Sequence, residues 1–279
     1  MLLVVSCGDA NRQYVRKAIR IMDKQGLFAE GPDWESAKAE ALSANPGSME
    51  EAQEIVRTAA KVAGGKHSFL QLAGNVVADA TSEWPAPDVI ISEGGVPVVS
   101  LPHFSGNYDE GVKYASAVLS AIPEDIPGVV IDLRGNTGGN MYPMIAAVHR
   151  FLVNDDGTLR FRTRSRTQWI PLSYAVQMAG VQQLSRIECP VAILTDSLTA
   201  SSGEATLICF RGLGYVRVFG APTAGYASAN QPFPLPGGDH LVLTTGCDVA
   251  RTGEVFCDDP IEPDVLTDSP LEDALEWIN

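Results

Sequence analysis

Apolar residues along the chain change their period once, and the change divides it into two stretches. From about Asp9 to Gly64 they recur at three- and four-residue spacing, the period of helices buried on one face. Val15, Ala18, Ile19 and Met22 line one side of a first helix, which Gly26 ends. Asp33 is placed to cap a second helix beginning at Trp34. Ser48 and Glu51 supply the two halves of a capping box for a third, with Ile55, Val56 and Ala59 on its apolar side. Pro32, Pro46 and Gly47 mark the breaks. Past His67, short β-branched runs alternate with helical stretches, which is the pattern of an α/β fold.

In that second stretch, residues 89–91 and 96–101 read as strands, and Pro97 predicts an edge position for the latter. Residues 108–122 read as a helix, 129–133 as a central strand and 216–220 as another strand. Residues 240–256 read as a hairpin turning near Thr252 and Gly253. Ser269, Pro270 and Glu272 have the order that opens a final helix. The expected division is a helical cap over residues 1–66 and an α/β core over 67–279.

Three places carry candidate chemistry. In Thr199-Ala200-Ser201-Ser202-Gly203-Glu204, an apolar strand (191–194) gives way to a helix (205–210) that Gly212 closes. A serine there sits where unpaired helix amides favour developing negative charge, although N-capping asks for the same residues. Residues 129–133 run into Arg134-Gly135-Asn136-Thr137-Gly138-Gly139-Asn140, with a helix from about Pro143. Paired glycines let the backbone approach a ligand and turn amides toward it, as an oxyanion hole requires. A tight strand–helix turn would need them as well. The third place is Gly64-Gly65-Lys66-His67-Ser68, a histidine directly after a capped helix. His103, His149 and His240 lie outside any motif and read as structural or surface residues.

In this order and at these separations the segments resemble the S41 family of serine peptidases. The match is to DLRxNxGG (Asp132 to Gly139), TASxxE (Thr199 to Glu204) and IxPD (Ile261 to Asp264). The resemblance implies a ClpP/crotonase-like α/β core with an N-terminal helical cap. It departs from the processing proteases in two ways. Tyr226 stands where their PTxGK segment has its catalytic lysine, and only about sixty residues separate His67 from Asp132, too few for a PDZ domain. Both departures resemble the nisin-resistance-like branch, whose base is the histidine of a GHS segment, matched here by His67-Ser68 behind Lys66.

The resemblance implies acyl transfer by a serine endopeptidase acting on peptide or protein C-terminal tails. Ser201, rather than Ser202, is then the nucleophile, and His67, or alternatively Lys66, the base. The amides of Gly139 and Gly138, with that of Ser201, form the oxyanion hole, and Asn140 and Met141 contact the peptide. Asn140 could equally cap a helix, and Met141 could pack in a core. Glu204 is a candidate orienting acid, Asp258 and Asp259 are others, and a bare dyad is the remaining option. Activity is expected to rise with pH through the His67 pKa. The competing reading is a catalytically degenerate protein that binds peptides or apolar ligands on the same scaffold.

Composition narrows the partners. A formal charge of −14 over 279 residues disfavours nucleic acid and suits a cationic peptide, though a solvated acidic surface explains it too. No metal-ligand spacing and no cofactor motif is present, so neither is expected. Oligomeric state is left open. Cys247 and Cys257 stand about equally far from the hairpin turn, so they could face each other as a disulfide or as packed thiols. Val4-Val5-Ser6-Cys7 resembles the end of a lipoprotein signal without a full signal peptide, which suggests an extracytoplasmic site, and no membrane span follows.

Overall fold

The computed structural model describes residues 7–74, 84–153 and 157–279, so Val4 to Ser6 lie outside the described residues. In chain order the helices are α1 (Cys7–Gln25), α2 (Gly31–Ser43), α3 (Met49–Gly64), α4 (Tyr108–Ala121), α5 (Met141–Ala147), α6 (Leu172–Met178), α7 (Ser202–Ile208) and α8 (Pro270–Ile278). The strands are β1 (Phe69–Gln71), β2 (Asp88–Ile91), β3 (Pro97–Ser100), β4 (Val129–Asp132), β5 (Leu159–Thr163), β6 (Thr167–Ile170), β7 (Val191–Thr195), β8 (Val216–Gly220), β9 (Ser228–Pro234), β10 (His240–Val249), β11 (Val255–Phe256) and β12 (Val265–Leu266). The fold is mixed α/β, and its contacts divide it into two units.

The first unit draws on Met1–Thr81, Thr163–Ser165 and Ser228–Cys247. Tyr14, Val15, Ala18, Ile19 and Met22 of α1 are buried with Trp34 of α2 and with Ala52, Val56 and Ala59 of α3. Leu241 and Leu243 of β10 complete that core, and β10 pairs antiparallel with β1 on one side and β9 on the other. The second helix begins at Gly31, earlier than Asp33 suggested, because Pro32 fits the first turn, where its missing N–H costs nothing. Asp33 then lies inside that turn, where a carboxylate suits the helix dipole. Ser48 caps α3 as expected, but Glu51 turns its carboxylate to the Gly47 amide instead of that of Ser48.

The second unit draws on Ser82–Arg162, Arg166–Ala227 and Asp248–Asn279. Its sheet has the order β12-β8-β7-β4-β3-β2, parallel throughout except for the β2–β3 pair. Val129 and Ile131 of β4 face a core shared with α4, α5, α6 and α7. Val130 faces the other core, which α8 covers. A strand buried on both faces explains the unbroken apolar run in the sequence. β3 is interior and β2 is the edge, contrary to the reading of Pro97. Proline is tolerated there because it is the first residue of its strand. The 240–256 hairpin is present as β10 and β11, paired Asp248 to Phe256 and Val249 to Val255. Cys247 and Cys257 are both disulfide-bonded, while Cys189 and Cys209 are free, buried thiols.

Candidate functional site

A parallel sheet brings the carboxyl ends of neighbouring strands side by side, and ligand-binding loops gather there. In the second unit those neighbours are β4 and β7, and the loops leaving them interlock. Asp196 accepts hydrogen bonds from the amides of Gly135, Leu198 and Thr199, each at 3.0 Å. Thr199 Oγ1 donates to the Leu133 carbonyl at 2.9 Å, and the Ala200 amide to the Asn136 carbonyl at 2.8 Å. Asn136 is fully buried; its Nδ2 donates to the Leu101 carbonyl at 2.8 Å and its Oδ1 accepts from the Gly138 amide at 2.9 Å. Arg134 forks onto Asp132 at 2.9 and 2.6 Å. Much of each motif therefore fixes loops. Asp264 does the same further along, accepting from the Val218 amide at 2.8 Å.

Ser201 joins the β7 exit to α7 with φ 52° and ψ −114°, the one positive φ outside glycine among the described residues. Such a conformation costs about 1–3 kcal/mol and persists only where the surroundings enforce it. The enforcement comes from Glu204. Its Oε2 accepts from the Ser201 amide at 2.8 Å and from the Tyr226 amide at 2.7 Å. Its Oε1 accepts from the Gly225 amide at 2.9 Å and from the Thr223 hydroxyl. Burial raises the Glu204 carboxyl pKa, and these donors oppose the rise. The loop holding Asp258 and Asp259 packs on Gly225, where a Cβ would lie 3.0 Å from the Asp258 carbonyl oxygen.

The glycine loop lies directly against Ser201. A Cβ on Gly138 (φ 101°) would sit 2.8 Å from the Ser201 Cβ, and one on Gly139 (φ 118°) would sit 1.9 Å from the Phe104 carbonyl oxygen. Both positions therefore require glycine. Ser202 Oγ donates to the Gly139 carbonyl at 2.6 Å. The Gly138 and Ser201 amides are committed to Asn136 and Glu204. Those of Gly139 and Ser202 donate to nothing among the described residues. Sequence reading had not singled out the Ser202 amide, although the first amides of any helix lack intrahelical acceptors. Asn140 is exposed and caps α5, accepting from the Tyr142 amide at 3.1 Å, while Met141 is half-buried against the core of the unit.

His67 belongs to the first unit, in the turn that Gly65 (φ 71°) opens after α3. Its Nδ1 lies 2.9 Å from Ser228 Oγ, and its carbonyl accepts from Asn230 Nδ2 at 2.9 Å. Thr244 Oγ1 donates to Asn230 Oδ1 at 2.8 Å, and the Thr244 amide donates to Ser68 Oγ at 2.9 Å. Burial, and then the charge of Lys66, lower the His67 pKa from 6.5 to about 4, against a hydrogen bond to the Ser228 main chain. The ring is therefore neutral throughout pH 5–8, which moves the expected rise in activity to more acid pH. Lys66 is exposed. Ser228 and Asn230 gave no strand signal, because Pro232 and Pro234 follow and no β-branched residue lies among them. His149 is structural, as read: it is buried, with Nδ1 on the Ala146 carbonyl at 2.6 Å and Nε2 accepting from the Leu184 amide at 2.8 Å.

The sequence profile of peptidase family S41 matches residues 95–267. The nisin-resistance protein of Lactococcus lactis subsp. lactis is 32% identical over 278 residues, covering 96% of this chain and 86% of that protein. The carboxy-terminal processing protease CtpB of Bacillus subtilis is 24% identical over 68% of this chain, which spans 38% of the protease. Among solved structures, a lipoprotein from Streptococcus agalactiae superposes with TM-score 0.86 at 28% identity, covering 99% of both chains. The photosystem II D1 C-terminal processing protease shares the fold, with TM-score 0.64 at 12% identity over 95% of this chain and 94% of that one.

Proposed function

Because the chain belongs to peptidase family S41, we propose that it is a serine endopeptidase cutting peptide or protein tails with Ser201 as nucleophile and His67 as base. The observation that carries the reading is the Ser201 backbone, a strained strand-to-helix turn at the end of β7 that glycine would fill more easily. Ser201 Oγ attacks the scissile carbonyl while His67 takes its proton and later returns it to the leaving amine. The Gly139 and Ser202 amides, which have no acceptor among the described residues, receive the oxyanion. His67 is preferred to Lys66 because its ring is half-buried and neutral, whereas Lys66 is exposed. Glu204 is assigned to holding the Ser201 turn, since both its oxygens are filled by donors of that unit.

Asn140 and Met141 are assigned to the peptide, and the charge of −14 favours a cationic one. An extracytoplasmic location is supported by the disulfide-bonded Cys247 and Cys257 and by likeness to a lipoprotein. Among the described residues no helix is long and apolar enough to cross a membrane.

Intact-mass analysis after fluorophosphonate treatment, paired with peptide turnover, tests the reading. One adduct is expected on the wild type and on Ser202→Ala, and none on Ser201→Ala or His67→Ala. Saturable peptide binding with neither adduct nor turnover would instead identify a degenerate binding protein.

A further inference from the structure

Strand β9 presents alternate side chains to one segment of the chain. Residues two apart on a strand share a face, and Ser228 and Asn230 both reach His67. Ser228 Oγ meets the ring at Nδ1 (2.9 Å), the Ser228 main chain also hydrogen-bonds the ring, and Asn230 Nδ2 meets the His67 carbonyl (2.9 Å). Asn230 is itself pinned by Thr244, its direct partner across the β9–β10 ladder. Ser68, next to His67, bonds both Thr244 and the Gly64 carbonyl at the end of α3. His67 is therefore held at ring and backbone by one rigid polar network within the first unit, and Ser228 is 7% exposed. A hydroxyl at Nδ1 has one consequence for a base. If Nδ1–H donates to Ser228 Oγ, the mobile proton is confined to Nδ1 and the lone pair is left on Nε2.

We propose that Ser228 is the positioning residue of His67, fixing the Nδ1–H tautomer so that Nε2 is the basic nitrogen, in the place where many triads use a carboxylate. The proposal rests on His67 being the base. A neutral hydroxyl orients the ring without offsetting the charge it gains on protonation, so the base is kept weak and the ring neutral at ordinary pH.

The first test needs no substrate. A long-range ¹⁵N–¹H correlation spectrum of the full chain, with His67 assigned by comparison with His67→Ala, is expected to show protonated Nδ1 and unprotonated Nε2 at pH 7. Ser228→Ala is expected to raise the share of the Nε2–H tautomer in a chain that remains folded. A wild-type ring carrying its proton on Nε2 overturns the proposal. The second test is kinetic. Ser228→Ala is expected to lower kcat about 10- to 100-fold with KM within about twofold, because general-base catalysis is worth about 10²–10⁴-fold and only its alignment is lost. Ser228→Thr, which keeps the hydroxyl, is expected to recover most of the rate. Ser228→Asp is expected to move the acid limb of the pH profile up by at least about one unit, since a carboxylate favours imidazolium. Unchanged kcat and pH profile in Ser228→Ala, with His67→Ala inactive, would reject the positioning role alone. Full turnover in His67→Ala would reject the base assignment on which it rests.

Discussion

At Ser201 the backbone is the informative quantity. A φ of 52° with ψ −114° is poorly tolerated by any side chain, so the residue is held there at a cost to stability. Ser201→Gly should relieve that cost and Ser201→Ala should not. We expect the glycine variant to melt above the alanine variant by about 2–4 °C, the shift that about 1 kcal/mol produces in a chain of this size. Differential scanning calorimetry of the two variants decides it, and a higher melting temperature for the alanine variant would remove the strain argument. The second residue-scale expectation concerns His67. Its pKa is lowered from 6.5 to about 4, and only the neutral ring accepts a proton. With His67 as the base, activity is expected to be fully developed above about pH 5, flat to pH 8, and lost tenfold per unit below about pH 4. A kcat/KM profile with its acid limb near 6.5 would mean that the ring is solvated. The same depression has a stability consequence of definite sign. As pH falls from 6.5 to about 4 the unfolded ring binds its proton first, so folding is weakened across that window and no further below it.

Single elements show where pattern reading succeeds and where it stops. The apolar stripe of α1 and the doubly buried run of β4 were legible because burial on one face or two leaves a direct imprint on the sequence. Pro97 misled because a proline signals only a missing donor, and the first residue of an interior strand can lack one as well as an edge strand can. β9 was invisible, since it is polar, carries two prolines and owes its existence to pairing with β10. For the turn into α7, TASxxE located Ser201 but did not reveal what Glu204 does. Four donors converge on that carboxylate, so Glu204→Gln must turn an amide N–H toward backbone N–H groups. Leaving buried donors unsatisfied costs about 1–3 kcal/mol each. Chemical denaturation is expected to show a loss of that order or larger, together with slower fluorophosphonate labelling of Ser201. Wild-type stability and labelling in Glu204→Gln would show that the turn is held by other contacts.

For the whole molecule, charge is the property that reaches furthest. With 34 acidic against 20 lysine and arginine residues, approach of a cationic peptide is accelerated and that of an anionic one slowed, within a screening length of about 8–10 Å at physiological salt. We expect kcat/KM for a lysine-rich peptide to fall severalfold between about 20 and 300 mM salt, and that for an otherwise identical glutamate-rich peptide to rise. Parallel salt titrations of the two peptides measure this, and identical slopes would assign the charge to solvation alone. The sequence alone determined the α/β class, the family, the three motif segments and the choice of Ser201 and His67 as candidates, because these depend on local period, on turn-forming residues and on short motifs. Only the tertiary structure decided which amides lack an acceptor among the described residues, that Glu204 braces the Ser201 turn, that Ser228 and Asn230 hold His67, and which strands share a unit with the three N-terminal helices. Those outcomes rest on hydrogen bonds between residues 161 and 163 positions apart in one case and 21 and 22 in another, and such pairings leave no periodic trace in the order of the residues.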